Sequence, residues 1–225
     1  DGTSSVAYSN WKYNYSRDTN SENELGFSKF DVPHRLMAQL SYTTPKYLNG
    51  WTSTTISVIY NGFSGSRYSL TMNEVSDFNG DGQKGNSLLY IPTEAEMDNM
   101  NFVDYTDQKT GKLIMSAADS RKAFTEWVNN DDYAKNHRGQ YAERNSNLSN
   151  WEHEIDLHLA QTIYNAQGLG KLEFTFDIIN FANMLNKKWG ASYSSAYNLS
   201  PLTVVSLSTD ENGNRNPGYA FNNTK

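Results

Sequence analysis

Between Gly170 and Leu185 the chain reads GKLEFTFDIINFANML. Leu172, Phe174, Phe176 and Ile178 fall on one side, Lys171, Glu173, Thr175 and Asp177 on the other. A period of two with one apolar and one charged face predicts a β-strand. The pattern recurs, and strands are expected near 4–15, 30–44, 51–63, 150–164 and 171–184. Leu36, Ala38, Leu40 and Tyr42 share a face in the second, and Ile56, Val58 and Tyr60 in the third. In the fourth, Ile155, Leu157, Leu159 and Ile163 oppose Glu154, Asp156, His158 and Thr162. Helical periodicity is weak. The best run is Ala117 to Val128, with Ala118, Phe124 and Val128 loosely on one face.

The connections alternate in length. PKYLNG, with Asn49-Gly50, is a hairpin signal between the second and third strands. NAQGLG joins the fourth and fifth. The segments 16–29, 64–149 and 185–225 are long and polar, and all are expected to be loops. Short turns at one end and long loops at the other predict an antiparallel up-and-down sheet, as in outer-membrane barrels. The apolar face then meets lipid and the charged face a polar lumen. A soluble β-sandwich also alternates, apolar in and polar out. Its strands are nearer five or six residues long, whereas strands of this length suit a tilted membrane crossing.

Composition narrows the classes. The 225 residues carry a net charge of −6, 13% aromatics and no cysteine. Nothing basic is concentrated enough for a nucleic-acid partner. No run approaches the roughly 20 apolar residues of a spanning helix. Without cysteine there is neither a disulfide framework nor a thiolate metal site. The chain opens on DGTSSVAYSNW, with no charged and apolar leader, and closes on AFNNTK. It is expected to be an internal piece of something longer, or a chain trimmed at both ends.

The sharpest local motif is DFNGDGQKGN, residues 77–86. Asp77, Asn79 and Asp81 alternate and Gly82 follows, a spacing that gathers hard oxygen ligands around Ca2+. The twelfth position of such a loop wants a bidentate acid and here holds Leu88. An Asx-rich turn explains the same residues. His153 and His158 are an odd number apart and face opposite sides of one strand, so no histidine metal cluster follows. His34 and Arg35 suit a lumen or interface role. Glu154, Asp156, Glu173 and Asp177 are expected on the polar face, with Lys171 and His158 as partners. GFSGS lacks the spacing of a nucleophile elbow, and GLGK precedes a strand rather than a helix. No nucleophile–base pair emerges, and no enzymatic activity is expected. Tyr8, Trp11, Tyr13, Tyr15, Tyr42, Tyr47, Trp51, Tyr60, Phe63, Trp151, Tyr164, Phe181 and Trp189 gather near strand ends. Amphipathic rings there fit the girdles of a membrane interface.

Five stretches, in order, resemble the C-terminal barrel of a TonB-dependent outer-membrane receptor: FDVPHRLMAQLSY, YNGFSGSRYSL, DFNGDGQKGNSLLYIP, RGQYAERNSNLSNWEHEIDLHLAQ and FDIINFANMLNKKWG. The nearest group is the Oar-like receptors of Bacteroidetes-type bacteria, cousins of the SusC-like transporters, and the likeness runs from about Phe30 onward. It implies an all-β, antiparallel up-and-down transmembrane barrel of about 22 strands around a plug, driven through TonB. The chain would be a C-terminal fragment lacking the last strand, either truncated or cleaved: barrel wall near 4–15, 30–44, 51–63, 150–164 and 171–184, with extracellular loops 64–149 and 185–225. The implied location is the bacterial outer membrane. The implied partners are outer-membrane lipid, the receptor's plug and other strands, TonB through the N-terminal part, and a surface lipoprotein; nucleic acid is not one. The implied cargo is a peptide, a glycan or a chelate. The competing expectation is a secreted, calcium-stabilised β-sandwich acting as an adhesin or glycan-binding module. It requires Leu172, Phe174, Phe176 and Ile178 to pack against a second sheet.

Overall fold

The computed structural model describes residues 6, 13–18, 25–74, 77–107, 109–165, 170–191 and 198–222. Its strands are β1 (Arg35–Thr43), β2 (Thr52–Phe63), β3 (Arg67–Glu74), β4 (Tyr90–Ile91), β5 (Tyr105–Thr106), β6 (Leu113–Met115), β7 (Gln140–Tyr141), β8 (Asn147–Leu148), β9 (Glu152–Tyr164), β10 (Lys171–Ile178), β11 (Asn198–Thr209) and β12 (Arg215–Phe221). Helices are few: Glu94–Asn99, Ala117–Asn130 and Phe181–Leu185. Most of the strand expected near 4–15, with Tyr8 and Trp11, lies outside the described residues, and Tyr13 to Tyr15 are not in a strand.

The chain divides into two compact units. One, here the strand unit, spans 30–66 and 148–194. Its four long strands form one sheet in the order β1-β2-β9-β10, every neighbour antiparallel. The β1–β2 hairpin closes through Leu48, Asn49 and Gly50, all at positive φ. Gly50 adopts this conformation without steric cost. Phe63, the end of β2, pairs with Glu152, the start of β9. The chain therefore leaves and re-enters this sheet at the end opposite its two hairpins. The strand expected over 171–184 stops at Ile178. Asn180 then turns left-handed, with φ 54°, and a one-turn helix follows.

The other, here the core unit, is drawn from 1–29, 67–147 and 195–225. The segments 64–149 and 185–225, expected as long loops, carry most of it. Residues 67–147 hold β3 to β7 and two helices, and residues 198–221 form the β11–β12 hairpin. A hydrophobic core explains why these segments are ordered: Leu70, Leu89, Ile91, Phe124, Val128 and Leu202 are all buried together. Strand β11 runs antiparallel to β12 but parallel to β3. That parallel pair departs from a purely up-and-down antiparallel order. Burial drives it, since parallel strands belong in sheets covered on both faces, and Leu70 and Thr71 are both inaccessible. The Ala117–Asn130 helix starts on Ser116, whose hydroxyl accepts from the Asp119 amide. It buries Ser120, Phe124 and Val128. Ala118, expected on that face, is exposed, because positions i, i+4 and i+8 define the stripe.

Strand is thus the dominant element and antiparallel sheets the main architecture. Among the described residues no sheet closes on itself.

Candidate functional site

The strand unit carries the most informative surface. Register places Tyr42, Ile56, Leu159 and Phe176 in one row across four strands. Leu40, Val58, Leu157 and Ile178 form the next row on the same face. Thr54 and Gln161, hydrogen-bonded to each other, come next beside Phe174, and Thr52, Ile163 and Leu172 lie beyond, towards the hairpins. This apolar face is open. Leu40 is 76% exposed and Phe176 61%.

The opposite face is polar and tighter. Ser41, Ser57, His158 and Asp177 make one row. Ser41 Oγ donates to Ser57 Oγ at 2.8 Å, and His158 Nδ1 pairs with Asp177 Oδ1. Thr162 Oγ1 donates to Glu173 Oε2 at 3.0 Å, and Lys171 bridges to the same oxygen. Asp156 Oδ1 accepts from the Asn180 amide at 2.8 Å. Ser53, Ser57 and Thr162 are buried. Alternation thus sets these faces in the sequence, and the hydrogen-bonded register supplies the partners.

Aromatic side chains mark both ends of the sheet. Tyr47 and Trp51 stand exposed at the hairpin end, and the Tyr47 hydroxyl reaches Thr54 and Gln161. At the other end Trp151 stacks with both His34 and His153, each ring centroid 6.3 Å away. The Tyr60 hydroxyl meets His153 Nδ1 at 2.7 Å. Phe63 and Tyr164 are exceptions: register sets them on the polar face.

The segment after β10 is tied back by side-chain amides. Asn180 Nδ2 donates to the Gly190 carbonyl and Asn183 Nδ2 to that of Trp189, both at 2.9 Å. Gly190 has φ +62°, and a Cβ there would collide with Asn180 Oδ1. Ala182 is buried, while Ile179, Met184 and Leu185 are exposed. This clamp shapes a cleft of about 400 Å³ lined by Trp151, His153, Ile155, Lys188 and Trp189. From sequence, 185–191 reads as loop, and the clamp is missed. The asparagines at 180, 183 and 186 are the available signal.

The motif Asp77, Asn79, Asp81 closes into a compact turn in the core unit. Asp77 Oδ1 accepts from the Gly80 and Asp81 amides and Oδ2 from that of Gly82. Asp81 Oδ1 accepts from the Gln83 amide, and its Oδ2 from the side chains of Asn79 and Asn86. The loop's own donors therefore shape it. Leu88, at the twelfth position, is buried. No group of three or more His, Cys, Asp or Glu fit to hold a metal occurs among the described residues.

No protein family, curated protein or solved structure matches the chain. No helix among the described residues is long and apolar enough to cross a membrane, which leaves a β-barrel untouched.

Proposed function

We propose that the strand unit is a section of wall from a TonB-dependent β-barrel in the bacterial outer membrane, its apolar face against lipid. One observation carries this reading: along the central strand β2, Ser53 and Ser57 are buried while Ile56 and Val58 are exposed, and Leu40, Phe174 and Phe176 on the flanking strands lie open on that same apolar face. Water would reverse that order, whereas a lipid solvent favours it. The competing sandwich needs Leu172, Phe174 and Phe176 covered by a second sheet, and all three are exposed.

The dimensions agree. His153 and Ile163 lie ten residues apart on one face of β9. At about 3.3 Å per residue and a tilt near 40°, that span stands about 25 Å tall, the height of an outer-membrane apolar band. The aromatic rings at each end sit where headgroups would be. In this reading the two hairpins face the periplasm, and the end at which β2 leaves and β9 returns faces outside. Further strands and a plug complete the barrel, TonB supplies energy through another part of the receptor, and a surface lipoprotein is a candidate lid. The cargo is a peptide, a glycan or a chelate.

Brominated-lipid quenching tests this. The chain is reconstituted in vesicles with Phe176→Trp or Thr175→Trp in a background where the native tryptophans are phenylalanine. The indole introduced at position 176 should be strongly quenched and the one at position 175 spared. Equal quenching, or a chain that stays wholly in the aqueous phase, would overturn the reading.

A further inference from the structure

The core unit holds a second cleft, of about 260 Å³. Its floor is apolar and buried, formed by Met72 and Leu202. Tyr90, Tyr141 and Tyr219 wall it, and Glu96 sits at its rim. Tyr141 meets the Tyr90 ring edge-on, with centroids 5.1 Å apart.

Glu96 is the one ionised side chain among the described lining residues. Its Oε1 accepts from the Tyr90 hydroxyl at 2.9 Å, and its Oε2 accepts from the amide and hydroxyl of Thr93, both at 2.9 Å. Those bonds hold its carboxyl below the usual range, the Thr93 amide most of all. Yet no cation among the described residues pairs with it. The cations around the cleft have other partners: Arg138 donates to the Pro92 carbonyl and to Asn129, and Arg17 pairs with Asp18. The Arg121 guanidinium donates to the carbonyls of Met97, Asp98 and Met100, and that of Arg215 to the Phe78 carbonyl.

We propose that this cleft binds a cationic group on an alkyl stem, an alkylammonium or guanidinium such as a lysine or arginine side chain. Three features converge on that chemistry. Ring faces carry negative quadrupole charge and attract cations. An ionised carboxylate at the rim forms charge-assisted hydrogen bonds with N–H donors. The apolar floor accepts methylenes, as long cationic side chains require. An anion would meet the Glu96 carboxylate, with which no cation among the described residues pairs. The volume lies below that of a drug-sized pocket and suits one side chain rather than a length of chain.

The test is calorimetric titration of the whole 225-residue chain in detergent. The probes are the N-acetyl methylamides of lysine, arginine and norleucine, with n-butylamine. The lysine or arginine derivative should bind and the norleucine one should not. Glu96→Gln keeps an acceptor for the Thr93 cap but loses the charge, and should weaken binding at least about tenfold. Tyr141→Leu, outside that cap, should weaken it about threefold. Tighter binding of the lysine derivative than of butylamine assigns a peptide-borne side chain; equal binding assigns a free amine. Norleucine binding as well as lysine, an unchanged Glu96→Gln, or no heat from any probe up to about 10 mM would overturn the assignment. None of these readouts depends on where the strand unit resides.

Discussion

Ser57 and Val58 are neighbours in β2, and the serine is 5% exposed while the valine is 40% exposed. The pair condenses the character of the central strands: their close-packed side is hydroxyl-rich, and their open side is mostly hydrocarbon, with Thr52, Thr54 and Gln161 confined to the hairpin end. If that open side meets lipid, Phe176→Arg should cost about 2–4 kcal/mol of folding stability in vesicles. Thr175→Arg, on the polar face beside Ala160, should cost much less. Urea titrations of the two variants compare them directly, and equal losses would contradict the assigned faces.

Gly190 and Gly50 separate strain from collision. Both have positive φ, but only Gly190 has a neighbour, Asn180 Oδ1, in the path of a Cβ. Gly50→Ala should cost about 1–2 kcal/mol through backbone strain alone. Gly190→Ala should cost more and should also free Trp189, seen as a red shift of its emission.

Phe124 tests whether residues 67–147 are a packed body. Its side chain is inaccessible and stacks on Trp127, with ring planes 7° apart. Phe124→Ala should remove about 3–5 kcal/mol. Amide exchange should accelerate at Leu70, Leu89 and Val128, while β9 and β10 keep their protection.

Asp210 gives the β11–β12 turn a dependence on pH. Hydrogen bonds from the Asn214 side chain and backbone, with a smaller one from the Asn212 amide, hold its carboxyl below the usual range. A group depressed in the folded state stabilises above its unfolded value, near 3.9, and loses that contribution as pH falls through the folded value. Exchange of the Asn214 amide, which donates to Asp210 Oδ1 at 2.7 Å, should therefore deviate upward from its base-catalysed trend below about pH 4. Asp210→Asn should erase the deviation.

The Asp77 loop is expected to keep its shape without a cation, since Asp77 already accepts from Gly80, Asp81 and Gly82. Protection of those amides should survive a chelator. Loss on chelation, restored by Ca2+, would instead place the ion among Asp77, Asn79 and Asp81.

The strand unit was legible because each strand has one face of each kind, so Leu36 to Tyr42 and Leu172 to Ile178 announce themselves by alternation. The core unit was not. In β3, consecutive residues from Ser69 to Met72 are all buried, and a strand covered on both faces shows no period of two. In β11, Pro201 lies in the middle of a sheet, which a sequence reader takes as a break. The structure accommodates it at a register shift between Leu199 and Leu202 against β3. Pro217 is tolerated because β12 is an edge strand. The two clefts depend on contacts between distant segments, and no local pattern encodes them. Glu96 left a partial trace: Thr93 and Glu96 spell a capping box.

The pairing of β3 with β11 has a temporal consequence. Asn198 meets Ser69 only after more than a hundred intervening residues have been made, including β9 and β10, which belong to the other unit. Neither unit can finish along the chain before the other has begun. Contacts of such long sequence separation close slowly. The nascent chain must therefore keep the apolar edges of β3 and of the four-stranded sheet unsatisfied together, a period during which a holding chaperone has the most to protect.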